Sequence, residues 1–301
     1  MSPLPRATKV HLLFFPFALL IGVALLLVAC GGGEKTPTEA PFQAPPANAD
    51  VNVAVSILPQ KYFLERIGGE HVAVLVMVEP GHDPVSYEPK PGQLQALKER
   101  SAYFSIGVPF ESAWLDDIAA ANPAMTMVDT AQGIELMDGD PHIWLSPTLV
   151  ETQAQTIYEA LAQLDPAHQA DYQANLDAFL GELAALDDYI AANLQGVAGK
   201  KFIVNHPAWG YFARDYGLEM IPLAVDDQTP DAARLDELAA FAKEEGIDIV
   251  FVQREFGDEI GTELALKIGG RPVPISPLNP NWESNLRSVS LMFANMLSRQ
   301  E

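Results

Sequence analysis

Apolar residues along this chain fall into two alternating patterns, with Gly or Pro between them. Short, nearly continuous apolar runs rich in β-branched residues are typical of strands buried on both faces of a parallel sheet. Apolar residues at every third or fourth position are typical of helices. The runs predict strands at 51–55, 72–78, 102–106, 201–204 and 247–252, and the periodic segments predict helices at 62–67, 91–100, 114–121, 208–216, 231–245, 259–268 and 282–298. This alternation indicates doubly wound α/β structure.

One periodic segment, 167–194, is much longer than the others. It has no Pro and a single Gly, and its apolar residues are spaced by four and three residues in turn: Tyr172, Leu176, Phe179, Leu183, Leu186 and Ile190. A helix rises 1.5 Å per residue, so this one is about 40 Å long. That is too long for an ordinary crossover in a small domain, and we predict that it connects two separate lobes.

The α/β pattern on either side of the long helix predicts two lobes. We expect an N-terminal α/β lobe at 50–165, the linking helix at 166–196 and a C-terminal α/β lobe at 197–301. Ligands of open α/β sheets bind beyond the carboxyl ends of the strands. The predicted fold class is therefore α/β, with two doubly wound lobes joined by one long connecting helix and a ligand site in the cleft between the lobes.

The first thirty residues have the features of an export signal. Arg6 and Lys9 precede a long apolar run that ends in Leu-Val-Ala-Cys at 27–30. This order is typical of a secretory signal, and Leu-x-Ala-Cys resembles a bacterial lipobox. We expect 1–29 to be a lipoprotein signal peptide and Cys30 to be the lipidated residue. The alternative is an uncleaved membrane anchor, because the apolar run is nearly long enough to span a bilayer.

The segment 30–49 is rich in Gly, Pro, Ala, Thr and Glu. Such residues bury little apolar surface, so we expect a disordered tether between the anchor and the first lobe. Cys30 is the only cysteine of the chain. The fold therefore has no disulfide, and its stability depends on its hydrophobic cores.

The formal net charge of the chain is −22 at pH 7. A surface of this sign disfavours nucleic acid and anionic substrates, and it attracts cations to any cleft. Solubility alone accounts for most of such a charge. The acidity therefore permits a cation-binding function without establishing one.

Three of the six histidines lie in loops marked by Pro and Gly, about sixty residues apart: His82, His142 and His206. Histidine is the commonest metal ligand in proteins, and neutral imidazole suits zinc. Ligands this far apart in sequence require the fold to bring them together. His82 and His206 follow predicted strands, at the edge where α/β sheets bind ligands. The other three histidines, His11, His71 and His168, are interpreted as signal, surface or structural residues.

Four segments resemble the zinc and manganese substrate-binding lipoproteins of bacterial ABC importers. They are Pro-Gly-His-Asp-Pro-Val-Ser-Tyr-Glu-Pro at 80–89, Ile-Gly with Glu and Trp within 106–114, Asp-Pro-His-Ile-Trp-Leu-Ser-Pro at 140–147, and Asn-His-Pro-Ala-Trp-Gly-Tyr-Phe-Ala-Arg-Asp-Tyr-Gly-Leu at 205–218. The family's fold, two α/β lobes bridged by a long helix, is the one predicted above from the apolar pattern.

The resemblance implies an extracytoplasmic protein, anchored in the membrane by lipid, that is not an enzyme. It would capture a divalent metal ion, with Zn²⁺ favoured, and deliver it to an ABC permease in the cytoplasmic membrane. We expect a monomer that does not bind nucleic acid. His142 and His206 match histidines of the family motifs and are the expected ligands.

The chain departs from the family in its first ligand loop. The family usually has a histidine directly after the proline of this loop, where this chain has Val85. His82, three residues earlier, substitutes for it if the backbone shifts slightly. Otherwise His82 is a solvated loop residue and the site has fewer protein ligands. Both readings stay open at the level of sequence.

A second departure is Ser276, where the family usually has an aspartate before Pro-Leu. A serine hydroxyl is a poor zinc ligand at neutral pH. A carboxylate would balance the charge of a divalent ion held by neutral imidazoles, and Glu255, after the strand at 247–252, is the preferred candidate. Gln253 and Glu259 are weaker candidates, and water is as plausible as Glu255.

The choice of zinc rests on the nitrogen ligands. Manganese-selective relatives tend to have a carboxylate where this chain has His206, and nitrogen favours zinc over the harder Mn²⁺ ion. Manganese remains the alternative metal. Three histidines and a water also describe a hydrolytic zinc centre, but the chain has no His-Glu-x-x-His and no Gly-x-Ser-x-Gly motif. An adhesin-like lipoprotein is a third reading, although it does not explain a cleft.

Overall fold

Eight short strands form two parallel four-stranded sheets in the part of the chain that the structure, a computed structural model, describes: residues 49–224 and 230–300. The predicted signal peptide, Cys30 and nearly all of the predicted tether lie outside these residues. Among the residues described, no helix is long and apolar enough to cross a membrane.

We call the first sheet and its three helices the N-terminal lobe. Its elements are β1 (Val51–Val55), α1 (Leu58–Gly68), β2 (Val72–Val76), α2 (Pro91–Ala96), β3 (Ala102–Ser105), α3 (Pro109–Ala121) and β4 (Thr126–Asp129). The strand order is β2-β1-β3-β4, with every pair parallel. The register pairs Val51 with Val72 and Val53 with Ala102.

Two helices follow the first sheet: α4 (Pro147–Leu164) and α5 (Gln169–Leu194). The side chain of Ser146 caps α4 by accepting a hydrogen bond from the backbone of Leu149. A short 3₁₀ turn, Pro166–His168, leads into α5. The predicted long helix is thereby confirmed, and its predicted apolar face is buried along its whole length.

We call the second sheet and its three helices the C-terminal lobe. Its elements are β5 (Lys201–Val204), α6 (Gly210–Asp215), β6 (Glu219–Pro222), α7 (Ala232–Glu244), β7 (Ile249–Val252), α8 (Glu259–Lys267) and β8 (Arg271–Pro274), and the final helix α9 (Trp282–Leu297) follows them. The parallel strand order β6-β5-β7-β8 repeats the topology of the first sheet. The predicted α/β fold with two lobes is confirmed. The lobe boundaries at 50–165, 166–196 and 197–301 stay a prediction.

One hydrophobic core extends through both lobes. Helix α5 packs on α1 of the N-terminal lobe, on α4 and on α9. Phe179 of α5 lies 6.1 Å from Phe63 of α1, and Phe63 meets Trp282 of α9 edge-on at 5.0 Å between ring centroids. A smaller apolar cluster lies under α7 and α8 in the C-terminal lobe. The long helix therefore belongs to the shared core and is not an isolated linker.

Candidate metal centre

His142 and His206 lie next to each other where the two lobes meet, with 71° between their ring planes. His206 is the second residue after β5, and His142 precedes the 3₁₀ turn Ile143–Leu145, all of whose side chains are buried. The Nε2 atoms of the two imidazoles are 3.2 Å apart. Each residue is 9% exposed, so the rings are nearly removed from bulk water while their Nε2 atoms converge.

A carboxylate orients His142 from behind. Asp140 Oδ1 lies 2.5 Å from Nδ1 of His142 and also accepts the His142 backbone N–H at 2.9 Å. The hydroxyl of Tyr211 donates to the carbonyl of Asp140 at 2.7 Å, which links this loop to α6. A carboxylate on one imidazole nitrogen fixes the ring and leaves the other nitrogen to a metal. Asp140 was not among the predicted site residues, although the Asp-Pro-His string contains it.

His206 is supported through its backbone and its ring face. Its N–H donates to Oε1 of the buried Gln253 at 3.0 Å. Asn205 ties this loop to the next one, because its Oδ1 accepts the Gln253 N–H at 2.8 Å and its Nδ2 donates to the carbonyl of Gly257 at 2.6 Å. The ring of Phe256 stacks on His206 at 3.8 Å, with 6° between the planes. Loops after β5 and β7 thus set the position of His206 together.

Burial keeps the imidazole of His206 neutral. Desolvation, and secondarily the nearby His142, lower the pKa of His206 from 6.5 to about 3. Metal binding needs the unprotonated imidazole, so this side chain is in its ligand form throughout the physiological pH range.

A cavity of about 400 Å³ opens in front of the two histidines. Its lining combines Val85 from the N-terminal lobe, the Asp140–His142 loop, and His206 with Phe256 from the C-terminal lobe. A second cavity of about 190 Å³ adjoins His206, and Asp83 and Glu259 are among its lining residues. The site therefore lies between the lobes, as the strand-edge rule predicts.

The structure does not bring His82 into this cavity. His82 is exposed, with Nδ1 3.3 Å from the carbonyl of Pro80 and its ring edge-on to Tyr87 at 5.3 Å. Val85, at the position where the family usually has its histidine, lines the cavity and is 41% exposed. The backbone path of the loop thus directs residue 85, and not residue 82, toward the two histidines.

Glu255 also lies apart from the pair. It lines a different cavity together with Ser276, whose hydroxyl donates to Oε1 of Glu255. Glu255, the preferred candidate for the fourth ligand, is therefore bonded to Ser276, the residue that stands where the family usually has an aspartate. Gln253, a weaker candidate, holds the backbone of His206 instead.

Within 49–224 and 230–300, no third His, Cys, Asp or Glu has a ligand atom within 4.8 Å of those of both His142 and His206. The structure brings together two of the four predicted metal ligands. If a metal ion binds to this pair, its remaining ligands have to come from water or from a movement of a neighbouring loop.

Two parallel α/β lobes with a buried histidine pair between them are suited to binding a metal ion. The family model for the periplasmic component A of the zinc-uptake complex, ZnuA, matches residues 53–297, and the chain belongs to this family. The resemblance noted from the sequence is thereby confirmed. This family provides a transport component that binds metal and works with ABC transporters, and it is not a family of enzymes. The hydrolase reading is therefore discarded.

Individual relatives agree with this assignment. The high-affinity zinc-uptake protein ZnuA of Bacillus subtilis is 25% identical over 86% of this chain and 87% of its own length. A putative metal-binding protein of Chlamydia trachomatis is 27% identical over 81% of this chain and 91% of its own. A crystal structure of ZnuA is 47% identical, with a TM-score of 0.79 over 82% of this chain and 98% of that one. The laminin-binding protein Lmb of Streptococcus agalactiae shares the fold at 23% identity and a TM-score of 0.74, covering 82% and 99%.

Proposed function

We propose that this protein is an extracytoplasmic zinc receptor, anchored through Cys30, that holds Zn²⁺ between His142 and His206 and delivers it to an ABC permease. The observation that carries the proposal is the 3.2 Å separation of the two Nε2 atoms. Zinc–imidazole bonds of about 2.0–2.1 Å in a tetrahedron separate ligand atoms by about 3.3 Å. The two imidazoles thus stand at the spacing of two ligands of one zinc ion.

Zinc is preferred to manganese on the chemistry of the ligand pair. Two neutral imidazoles suit zinc, whereas Mn²⁺ prefers oxygen ligands. A zinc-bound deletion mutant of ZnuA, 47% identical to this chain, has the same fold with a TM-score of 0.80 over 83% of this chain and 99% of that one. Manganese is the alternative cargo.

The remaining ligands are proposed to be water or a carboxylate beside His206. Asp83 and Glu259 line the cavity next to His206. Asp83 already accepts the Val85 backbone N–H at 2.7 Å, so its use as a ligand would move the loop that carries Val85. His82 reaches the site only if this loop changes its path further. Glu255 reaches it only if its hydrogen bond with Ser276 breaks. A site with few protein ligands fits a receptor, because cargo must be released.

Zinc titration of the full-length protein in detergent tests the cargo and its ligands. His142→Ala and His206→Ala are each expected to weaken zinc at least tenfold, or roughly 1.4 kcal/mol, in competition with a chromophoric chelator. Thermal melting of both variants controls for folding. Zinc binding unchanged in either variant would remove that histidine from the site, and tighter binding of Mn²⁺ than of Zn²⁺ by the wild type would reverse the choice of metal.

The anchor is tested separately. Cys30→Ser is expected to abolish acylation, so that mass spectrometry of the exported protein shows no lipid and fractionation finds it soluble or with its signal uncleaved. Wild-type protein recovered from the soluble envelope fraction without a lipid would contradict the proposed anchor and leave the zinc site unaffected.

A further inference from the structure

A second group of metal-ligating side chains lies at the opposite edge of the N-terminal sheet from the cleft. Asp50 and His71 directly precede β1 and β2, and the register that pairs Val51 with Val72 sets them side by side. His168 joins them at the end of the 3₁₀ turn before α5. A five-residue strand is about 16 Å long, so this group is well separated from the cleft residues at the carboxyl ends.

The three side chains lie close enough together to become ligands of one metal ion. Asp50 Oδ2 is 2.7 Å from Nδ1 of His71 and 3.9 Å from Nδ1 of His168. These distances lie on either side of the roughly 3.3 Å that tetrahedral zinc imposes between its ligand atoms. One ligand atom from each residue lies within 4.8 Å of the other two, and in the described ranges this is the one set of three His, Cys, Asp or Glu residues that meets this criterion.

The two imidazoles present the same edge to Asp50. Their rings stack at 3.8 Å with 21° between the planes, and Tyr172 of α5 contacts His71 edge-on at 5.9 Å. His71 is partly buried, with 18% of its side chain exposed, while Asp50 is 55% exposed. Because an imidazole binds a metal in its own ring plane, one of these nearly parallel rings has to turn when an ion enters from solvent past Asp50.

Two more carboxylates surround the group. Asp165 Oδ2 is 2.6 Å from Nδ1 of His168 and accepts a hydrogen bond from the hydroxyl of Tyr172 at 2.8 Å. Asp171 Oδ2 is 3.5 Å from Nε2 of His71. Three carboxylates around two imidazoles favour a cation at this point.

We infer that Asp50, His71 and His168 form an accessory site for zinc or a similar first-row divalent ion, separate from the transport site. Mg²⁺ and Ca²⁺ prefer all-oxygen sites, so two imidazole ligands select against them. Because Asp50 is largely exposed, the ion should exchange more readily than one held between the lobes. The competing interpretation is a group of His–Asp ion pairs that binds no metal.

The experiment separates this site from the cleft by removing the cleft ligands. Full-length protein carrying His142→Ala and His206→Ala, purified without a histidine tag, is dialysed against zinc and its metal content is measured. One bound zinc is expected. Adding His71→Gln or His168→Gln should weaken this zinc at least tenfold, whereas His82→Gln, which changes an exposed histidine outside the group, should leave it unchanged. Wild type should bind two zinc ions if the cleft also binds one.

A melting curve gives a second readout, since an ion that joins three distant segments stabilises the fold. Zinc should raise the melting temperature of the cleft variant, and Asp50→Asn should reduce that rise. The inference is overturned if the variant with His142→Ala and His206→Ala binds no zinc. It is also overturned if substitutions at positions 50, 71 and 168 change neither zinc binding nor the melting temperature. A wild type whose single zinc depends only on these positions would support this site and contradict the proposed transport site.

Discussion

The imidazoles of His142 and His206 are supported by different kinds of partner. The His142 ring bonds through Nδ1 to the Asp140 carboxylate, whereas the His206 ring is held by stacking on Phe256 and by the bond from its backbone to Gln253. A carboxylate behind an imidazole raises its basicity as well as fixing its direction. Substitutions behind His142 should therefore act on metal affinity more directly than on folding.

Asp140→Asn is expected to weaken zinc by about 10- to 100-fold, the usual effect of losing an outer carboxylate behind a metal-binding histidine. Asparagine keeps the size of the side chain and an oxygen for the His142 N–H, so the melting temperature should change little. Chelator competition and thermal melting measure the two effects. Unchanged affinity would mean that Asp140 serves only the backbone of its loop.

Position 85 offers a direct test of the loop that departs from the family. Because Val85 lines the cavity and His82 does not, Val85→His should tighten zinc by at least tenfold and His82→Ala should leave affinity unchanged. The double variant should bind like Val85→His alone. A loss with His82→Ala equal to that with His142→Ala would show that the loop rearranges to use His82 when zinc binds.

Glu111 gives a prediction about pH. It is 5% exposed and accepts bonds from Ser56 and from the backbone of Ile106 and Gly107. Burial raises the pKa of Glu111 above its ordinary value of 4.5, which outweighs the lowering by these hydrogen bonds. A carboxyl with a raised folded-state pKa contributes stability below the unfolded-state pKa and loses it as the pH rises through the folded value.

Glu111→Gln, which does not titrate, should therefore remove this pH-dependent part. Urea denaturation at each pH measures the free energy of unfolding of both proteins. The value for the wild type minus that for the variant is expected to fall as the pH is raised from about 4 to 7. A difference that stays constant or grows with pH would mean that burial does not raise this pKa.

Mostly buried strands and partly exposed strands differ in how far the sequence predicts them. β1, β2, β3, β5 and β7 were predicted because sheet burial makes them apolar runs. β4 and β6 were not predicted, because they are partly exposed edge strands. β8 was not predicted because it contains Pro272 and Pro274, and proline is tolerated only where a strand has a free edge. Helix α4 was missed although its buried Val150, Ala154, Ile157 and Leu161 follow helical spacing after Ser146 and Pro147.

Two glycines inside helices form a matched pair. Gly181 of α5 is exposed, and a Cβ there would meet nothing within 4 Å. A Cβ on Gly261 of α8 would lie 2.7 Å from Val252 Cγ1 and 3.3 Å from the Cβ of Asn205, which precedes His206. Gly181→Ala should stabilise the protein by about 0.5–1 kcal/mol through backbone entropy. Gly261→Ala should destabilise it by about 1–3 kcal/mol through overpacking.

Urea denaturation measures both glycine variants, and zinc titration adds a second distinction. Only Gly261→Ala should alter zinc affinity, because α8 supports the Asn205–Gln253 pair behind His206. If both variants gain stability, the contact between α8 and β7 has enough room to adjust, and the packing assigned to Gly261 is incorrect.

The candidate metal centre was only partly predictable, because its residues are brought together by the fold of the whole molecule. The fold class followed from the apolar pattern. His142 followed from a family motif, and His206 from a family motif and its position after a strand. The directions of His82 and Glu255 depend on loop paths and on a contact between Ser276 and Glu255, which no spacing in the sequence reveals. The group of Asp50, His71 and His168 likewise depends on strand register and on the start of α5.

Two tryptophans join the lobes beside the metal centre. Trp282 Nε1 of α9 donates to the carbonyl of Trp144 at 2.7 Å, and Trp144 Nε1 donates to the carbonyl of Pro277 at 2.7 Å. Both side chains are buried, and Trp144 is two residues from His142. Because the lobes share a core and these bonds, zinc should bind without a large closure of the lobes.

Trp282→Phe should therefore affect stability and site together. It leaves the buried Trp144 carbonyl without this donor, at a cost of about 1–3 kcal/mol in the free energy of unfolding. Zinc should bind about threefold to tenfold more weakly, because the turn that carries His142 loses its support. Trp114→Phe, a partly buried position in the N-terminal lobe, is the control and should leave zinc affinity unchanged. A Trp282→Phe protein that is less stable yet binds zinc like the wild type would show that the bonds between the lobes do not position His142.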